Sequence, residues 1–531
     1  MDGKRLTGSY YTADVIAQYM IDWAIQTPED SFLEPSFGDG VFVNAALNRY
    51  SELGNAFPEI TGVEIQPHIY KAYMRNVPAC VKGVCQDYLT FEPEREFSAI
   101  VGNPPYVSLR NLNNDERNSA LLSAEKKKVQ MLTSGSLWMP FVIHSTAMLA
   151  NNGRLAFVLP FELTYVKYAH SLWTYLKENF GLLRVIRVHE DFFPDVDVET
   201  VILFAADKGR KTDYVEYETY SNMNDLINNV MLRYSTIGIE RIISGQKPFV
   251  YELLNKEQKS VIDEMRTKKL VTPSVFECKY NIGYVCADKE YFHPSREVQS
   301  QFNIAKENLA SCISNSKDIN EKKGIGAVVD EGQCDSKLYL PRNLSIADEE
   351  YIDYGICKGV NLRYKCKQRN PWYITPSVEV PELILTVFGD APKLVVNRGD
   401  YVVSNSLLAG HLLADTSSEE YVCRWYNSLT LLSIELNVHS LGGGVLVLIP
   451  GETDKLEIVS RIPEERIAEI FSQIDLCIRN EGVHAAYDLG DRLVLREIIG
   501  LSESQVECIR SAVSQLRAWR KPELRRRKES A

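Results

Sequence analysis

The stretch that most restricts the fold is Asn103-Pro104-Pro105-Tyr106, which leaves the apolar run Phe97-Ser98-Ala99-Ile100-Val101-Gly102. That run is short, partly β-branched and closed by a glycine, the pattern of a buried parallel strand. Two consecutive prolines bar entry into a helix and hold the chain extended. A stiff turn at the carboxyl end of a strand is where open α/β sheets place their ligands. Asn103 brings an amide oxygen, and Pro104 brings a carbonyl without an N–H. Two acceptors side by side can take both hydrogens of an exocyclic amino group, and Tyr106 adds an aromatic face for a planar ring. A Pro-rich turn with an aromatic plug accounts for the same four residues taken alone. The segments before it narrow the choice.

Gly8-Ser9-Tyr10-Tyr11-Thr12 precedes a helical pattern from Ala13 to Met20, with Thr12 placed as its N-cap or as a hydroxyl for a ligand. Next comes Phe32-Leu33-Glu34-Pro35-Ser36-Phe37-Gly38-Asp39-Gly40-Val41-Phe42, a strand, a glycine turn and a helix start. Gly38 and Gly40 let the backbone approach a ligand closely. The Gly-Lys-Ser/Thr ending of a P-loop is absent, as is the full dinucleotide fingerprint. Ile60 to Glu64 reads as a second strand ending in a carboxylate, at the spacing where such folds hold a ribose hydroxyl pair. Val81 to Tyr88 gives a third strand, with Asp87 able to accept from an amino group and Tyr88 able to cover a ring. Three ligand-type strand ends before the Asn-Pro-Pro-Tyr turn exceed what solvated loop residues require.

Size and charge bound the rest. A chain of 531 residues is too long for one small core and implies two or three domains. The net charge of -12 does not favour a nucleic-acid partner, although local patches rather than totals govern such binding. Eleven cysteines occur without a C-x-x-C pair or zinc spacing, so no metal is expected. With no leader pattern and no long apolar span, the expected location is cytoplasmic, away from membranes.

Taken together, these segments resemble the S-adenosylmethionine-dependent DNA adenine-N6 methyltransferases of the γ motif order. That order runs cofactor motifs, catalytic [DNS]-P-P-[YFW], then target-recognition domain. Asn103-Pro104-Pro105-Tyr106 matches in full, and Glu34 to Phe42 fits the family's acid-Pro-x-x-Gly-x-Gly-x-Phe pattern. Tyr11-Thr12 resembles the N-terminal cofactor motif, with Ala13 where proline is usual. The resemblance spans roughly residues 8 to 206. It implies an α/β fold: a Rossmann-like class I methyltransferase domain with a mostly parallel sheet at 1–210. A mixed α+β target-recognition domain with C-terminal helices would follow at 211–531.

The resemblance implies cofactor contacts from Tyr11, Thr12, Glu34, Pro35, Gly38, Gly40, Asp87, Tyr88 and Asn103. It adds Glu64, with Ile65 after it, for the ribose side, and Phe141, on the apolar helix after Gly135, for the adenine. It implies a catalytic group of Asn103, Pro104, Pro105 and Tyr106, with a second base-stacking aromatic in His189-Glu190-Asp191-Phe192-Phe193-Pro194. Phe193, before the proline, is the choice, and an exchange of roles with Phe192 stays open.

Polar Asp207 to Lys211 reads as the end of the catalytic domain. Beyond it, strands are expected near Tyr280 and Val395, a helix after Asn427, a glycine loop at Leu441 to Leu446, and amphipathic helices from Glu464 and Glu503. Between Cys357 and Asn370 lie Lys358, Arg363, Lys365, Lys367 and Arg369, with no acid and with Tyr364 interleaved. Such a stretch can neutralise phosphates, which position DNA without reading it. The basic run from Arg517 to Lys528 reads equally as a solvated tail.

The expected function is site-specific methylation of a flipped-out adenine in double-stranded DNA. RNA-adenine or protein-glutamine methylation is the alternative, since related enzymes share the turn. A DNA-binding specificity protein with a vestigial methyltransferase half is the alternative from another class. N4-cytosine methylation more often goes with serine in place of Asn103. No space for a nuclease before the cofactor motifs is expected, and a separate restriction endonuclease is a possible partner.

Overall fold

The computed structural model describes residues 12–55, 58–189, 199–413, 416–441 and 444–521. Two compact units divide the chain, one of residues 1–253 with 518–531, the other of residues 254–517.

The first unit is built on nine strands. They are β1 (Phe32–Glu34), β2 (Ile60–Glu64), β3 (Val81–Cys85), β4 (Phe97–Gly102), β5 (Leu149–Pro160), β6 (Phe180–Val188), β7 (Thr200–Lys208), β8 (Tyr214–Tyr220) and β9 (Arg233–Gly238). Their order is β3-β2-β1-β4-β5-β7-β6-β8-β9. β3, β2, β1, β4 and β5 run parallel, and β7 lies antiparallel between β5 and β6. Every residue of β1 and β2 is buried, Glu34 and Glu64 included. Strands covered on both faces read as such continuous runs. This is the Rossmann-like α/β architecture that the sequence leads one to expect.

The chain leaves β1 toward β2 and β3, then returns to β4 on the other side of β1. That reversal opens a crevice at the carboxyl ends of β1 and β4, where ligands bind in open α/β sheets. The catalytic-type turn begins at the residue after β4, and the glycine turn follows β1 directly.

Helices α1 (Asp14–Ala24) and α2 (Val41–Glu52) pack together on the sheet through Met20, Ile21, Val43 and Ala46. After α3 (Pro67–Met74), α4 (Asn114–Glu125) opens with a capping box of Asn113 and Glu116. In α5 (Trp138–Met148) every residue but Ala147 is buried, which is why no polar stripe shows in its sequence. Pro140 lies in its first turn, where a missing N–H costs little.

The expected boundary near residue 210 differs from the structure. Asp207 to Lys211 only turns the chain, because β8 adds parallel to β6 and β9 pairs with β8. Val215, Tyr217 and Thr219, all buried, sit at alternate positions in β8, a period-2 pattern that marks a strand face.

The second unit carries a five-stranded sheet ordered Cys278–Ile282, Leu407–Leu412, Leu383–Thr386, Leu394–Asn397 and Val328–Val329. A three-stranded sheet joins Lys337–Tyr339, Leu309–Ile313 and Val402–Val403. Helices follow at Ser428–Asn437, capped by Asn427, and at Glu464–Glu481. Around the smaller sheet lies an aromatic core in which Tyr291 and Tyr351 stack at 4.7 Å. Among the described residues no helix is long and apolar enough to cross a membrane.

Candidate functional site

The crevice at the switch point is a cavity of about 440 Å³, within the range of small-molecule sites. Four of its walls come from the strand ends singled out above.

The first wall is the turn after β1. Gly38 and Gly40 both take positive φ, at 53° and 80°, and Gly40 is the residue from which α2 departs. A Cβ at Gly40 would overlap the Tyr73 ring. Glu34 is buried and accepts the Val43 N–H at 2.9 Å, satisfying an amide of the first turn of α2. Burial pushes its carboxyl well above the ordinary range; the Val43 N–H opposes this, and Asp39 and Glu64 add to it.

The second wall is Glu64. One carboxylate oxygen accepts the Gly38 N–H at 3.0 Å and the other the Gln66 N–H at 2.8 Å. Its orientation is thereby fixed from both sides of the turn. Ile65, next in the chain, lines the same cavity with 55% of its surface exposed.

Asp87, Tyr88 and Phe141 form the third wall. Asp87 accepts the Leu89 N–H at 3.0 Å and the Ser119 hydroxyl at 3.3 Å. The buried Tyr88 ring packs at 5.0 Å on Phe141, and its hydroxyl pairs with Ser145 at 2.6 Å. Tyr88 and Phe141 present an apolar surface, with an acid at its edge.

The last wall is the turn after β4. The Asn103 side-chain N–H donates to the Thr12 hydroxyl at 3.3 Å, and the Ser36 hydroxyl donates to the Asn103 carbonyl at 3.2 Å. An amide whose NH2 end is turned to Thr12 carries its oxygen on the opposite side. Thr12 is therefore not the N-cap of α1: Ala13 stands there, without a side-chain bond. The hydroxyl that a cap would spend on backbone N–H groups is spent on Asn103 instead.

Thr12, Asn103 and Pro105 border the cavity, while Pro104 and Tyr106 do not line it. Pro104 is buried. The Tyr106 hydroxyl donates to the Val158 carbonyl of β5 at 3.0 Å, which ties its ring to the neighbouring strand. Tyr11, Phe192 and Phe193 lie outside the described residues. Ser36, Asp39, Gln66 and Ser119 belong to the site without having been singled out. Ser36 and Asp39 stood inside the quoted glycine motif, whereas Ser119 carries no local signal.

Asp39, Glu64, Asp87 and Glu116 give the cavity an acidic lining. Such a lining favours a ligand with positive charge and hydroxyl donors and disfavours phosphate. A glycine turn that allows close approach, a fixed carboxylate and an aromatic-aliphatic slot fit a cationic nucleoside derivative.

The basic stretch belongs to the second unit. Lys358, Arg363, Lys365 and Lys367 are exposed, and Arg363 reaches Asp288 at 3.4 Å. Arg369 turns inward, donating to the Val285 carbonyl and lying 5.6 Å over the Phe292 ring.

Comparison with known proteins adds the following. Residues 246–495 match the family model "Type II methyltransferase M.Eco57I, C-terminal domain", and residues 53–193 match "Eco57I restriction-modification methylase". The type II methyltransferase M.AccI of Acinetobacter calcoaceticus is 25% identical over 406 residues, spanning 73% of this chain and 72% of that protein. M.BstVI of Geobacillus stearothermophilus is 22% identical over 352 residues, spanning 55% of this chain and 61% of that protein. Among solved structures, the type IIL restriction-modification enzyme MmeI, determined in complex with DNA, aligns with a TM-score of 0.53 and 12% identity. That alignment covers 95% of this chain and 75% of the other, and is a likeness of fold.

Proposed function

The chain belongs to the type II restriction-modification methylases, and we propose that it methylates N6 of an adenine turned out of duplex DNA, with S-adenosylmethionine as methyl donor. The observation that carries this reading is the Asn103 amide, held by Thr12 at the mouth of the acid-lined crevice.

Residues 1–253 serve as the catalytic unit in this reading, and residues 254–517 supply target recognition. Glu64 holds the ribose hydroxyls of the donor, and Asp87 accepts from its adenine amino group. Ile65, Tyr88 and Phe141 cover that ring; Tyr11, Thr12, Pro35, Gly38 and Gly40 border the remainder. The acidic lining suits a sulfonium and an ammonium. Bound S-adenosylmethionine supplies an electrophilic methyl group.

The protein's part in the transfer is positioning and local electrostatics. The extruded base stacks on Tyr106, with Phe193 as the second face. Asn103 Oδ1 and the Pro104 carbonyl accept the two N6 hydrogens. Those bonds draw the nitrogen lone pair out of conjugation with the ring and aim it at the methyl group. The Thr12 contact matters here because a flipped amide would present NH2 hydrogens to a donor nitrogen. The basic stretch of the second unit holds phosphates, and a separate endonuclease is the expected counterpart in the host.

The test is incubation of purified protein with methyl-labelled S-adenosylmethionine and unmethylated genomic DNA, followed by nucleoside digestion. Label in N6-methyldeoxyadenosine is expected. Label in N4-methyldeoxycytidine would replace the target base, and unlabelled DNA beside labelled total RNA or cell protein in parallel incubations would remove the DNA reading.

A further inference from the structure

The segment Val360 to Lys367 holds an unbroken run of exposed side chains of two kinds, Leu362 to Lys365, between two inward anchors. Val360 and Cys366 are buried in the aromatic core of the second unit, beside Tyr291 and Tyr351. Gly355, on the preceding helix Ile346–Cys357, packs so closely that a Cβ would overlap Trp372 and Tyr291. Gly359, at φ 71°, turns the chain out of that helix into a short 3-10 turn. These contacts anchor the segment at both ends.

Its outward side chains are not all charged. Leu362 is 64% exposed and Tyr364 is 73% exposed, on either side of Arg363. Lys365 and Lys367 follow directly, both exposed, and Lys365 lies 5.7 Å from the Tyr364 ring. Cations alone would position a phosphate backbone and leave no reason to present two large apolar groups to water. Side chains of this type enter base steps in proteins that unstack or kink DNA, while flanking cations neutralise the strands. A planar ring beside a lysine also suits stacking on any base.

We propose that Leu362 and Tyr364 form an apolar tip that inserts into the base stack of duplex DNA, with Arg363, Lys365 and Lys367 holding the phosphates on either side. This rests on the reading of the chain as a DNA methylase. It goes beyond it by separating, within one segment, a salt-dependent phosphate contact from a salt-independent stacking contact.

Affinity for a plasmid fragment that the wild-type protein methylates, measured over a series of KCl concentrations, tests the proposal. The variant L362A/Y364A should bind at least about tenfold more weakly at every salt, giving a line parallel to that of the wild type. K365Q/K367Q should instead flatten the slope by about 2 units, one for each lost phosphate contact. Tyr364→Phe, which keeps the stacking face, should follow the wild-type line, and an L362A/Y364A thermal midpoint equal to that of the wild type should exclude misfolding as the cause. Phe276→Ala removes an aromatic that is 70% exposed outside the basic stretch, and should change nothing. An L362A/Y364A line that coincides with wild type, or that differs in slope, overturns the tip, as does an equal loss in Phe276→Ala. If the wild-type protein neither methylates nor retains any fragment, the methylase reading itself is overturned, a result distinct from either.

Discussion

The Asn103 side-chain amide donates to the Thr12 hydroxyl at 3.3 Å, joining residues 91 positions apart in the chain. With the hydroxyl accepting, the NH2 end of the amide faces Thr12 and the oxygen faces away. For a group whose role is to accept from an amino nitrogen, that choice decides whether the turn attracts or repels its substrate.

Replacing Thr12 by valine removes the acceptor and keeps the shape. Steady-state kinetics on T12V should show kcat lowered by roughly five- to tenfold, the scale of one hydrogen bond. T12S should restore most of it. An unchanged kcat in T12V would mean that Asn103 is oriented without this contact.

Glu64 accepts from Gly38 and Gln66 through its two oxygens. A glutamine cannot accept at both ends, so E64Q must turn NH2 toward one backbone N–H. Calorimetric titration with S-adenosylmethionine should show affinity reduced roughly tenfold or more, the scale of a lost charge-assisted contact. Thermal unfolding of E64Q should show a lowered midpoint as well, because one half-buried backbone N–H loses its acceptor.

Gly40 combines a φ of 80° with a side-chain position already filled by Tyr73. G40A should lower stability by about 1–2 kcal/mol from the backbone conformation alone, and by more from the overlap. Adding Tyr73→Ala should recover only the second part, measured as the shift in thermal midpoint.

Glu34 gives a pH signature. Its carboxyl is raised in the folded chain, chiefly by burial, so the folded state binds a proton that the unfolded state has released. Stability therefore falls as pH rises from the ordinary glutamate value, about 4.3, toward the raised one. E34Q lacks this titration. Its thermal midpoint should decline less than that of the wild type between pH 5 and pH 8, and parallel curves would contradict the burial of an ionisable group there.

Much of the first unit was legible because parallel strands buried on both faces announce themselves. Phe97 to Gly102 and Ile60 to Glu64 appear as strands with the ends read from the sequence. The glycine turn after Glu34 and the acids at Glu64 and Asp87 gather around one cavity, since the strand order brings their ends together. The neighbours of Thr12 left its hydroxyl open between a helix cap and a ligand contact, because its partner Asn103 is distant in sequence. The extension of the sheet past Asp207 was hidden by a polar turn, although the alternation in Tyr214 to Tyr220 carried the signal. In the basic stretch, composition did not distinguish Arg369, which folds inward, from Lys365 and Lys367, which face solvent. Only packing separates them.

The most direct measurement is sequencing with modified-base detection of DNA from cells expressing the wild-type protein or Asn103→Ala. N6-methyladenine at one short motif, present with the wild type and absent with N103A while the purified variant still binds S-adenosylmethionine, is the expected result. The same mark in both, or no mark with a wild-type protein that binds the cofactor, would contradict the assignment of Asn103 as the residue that presents a DNA adenine for methylation.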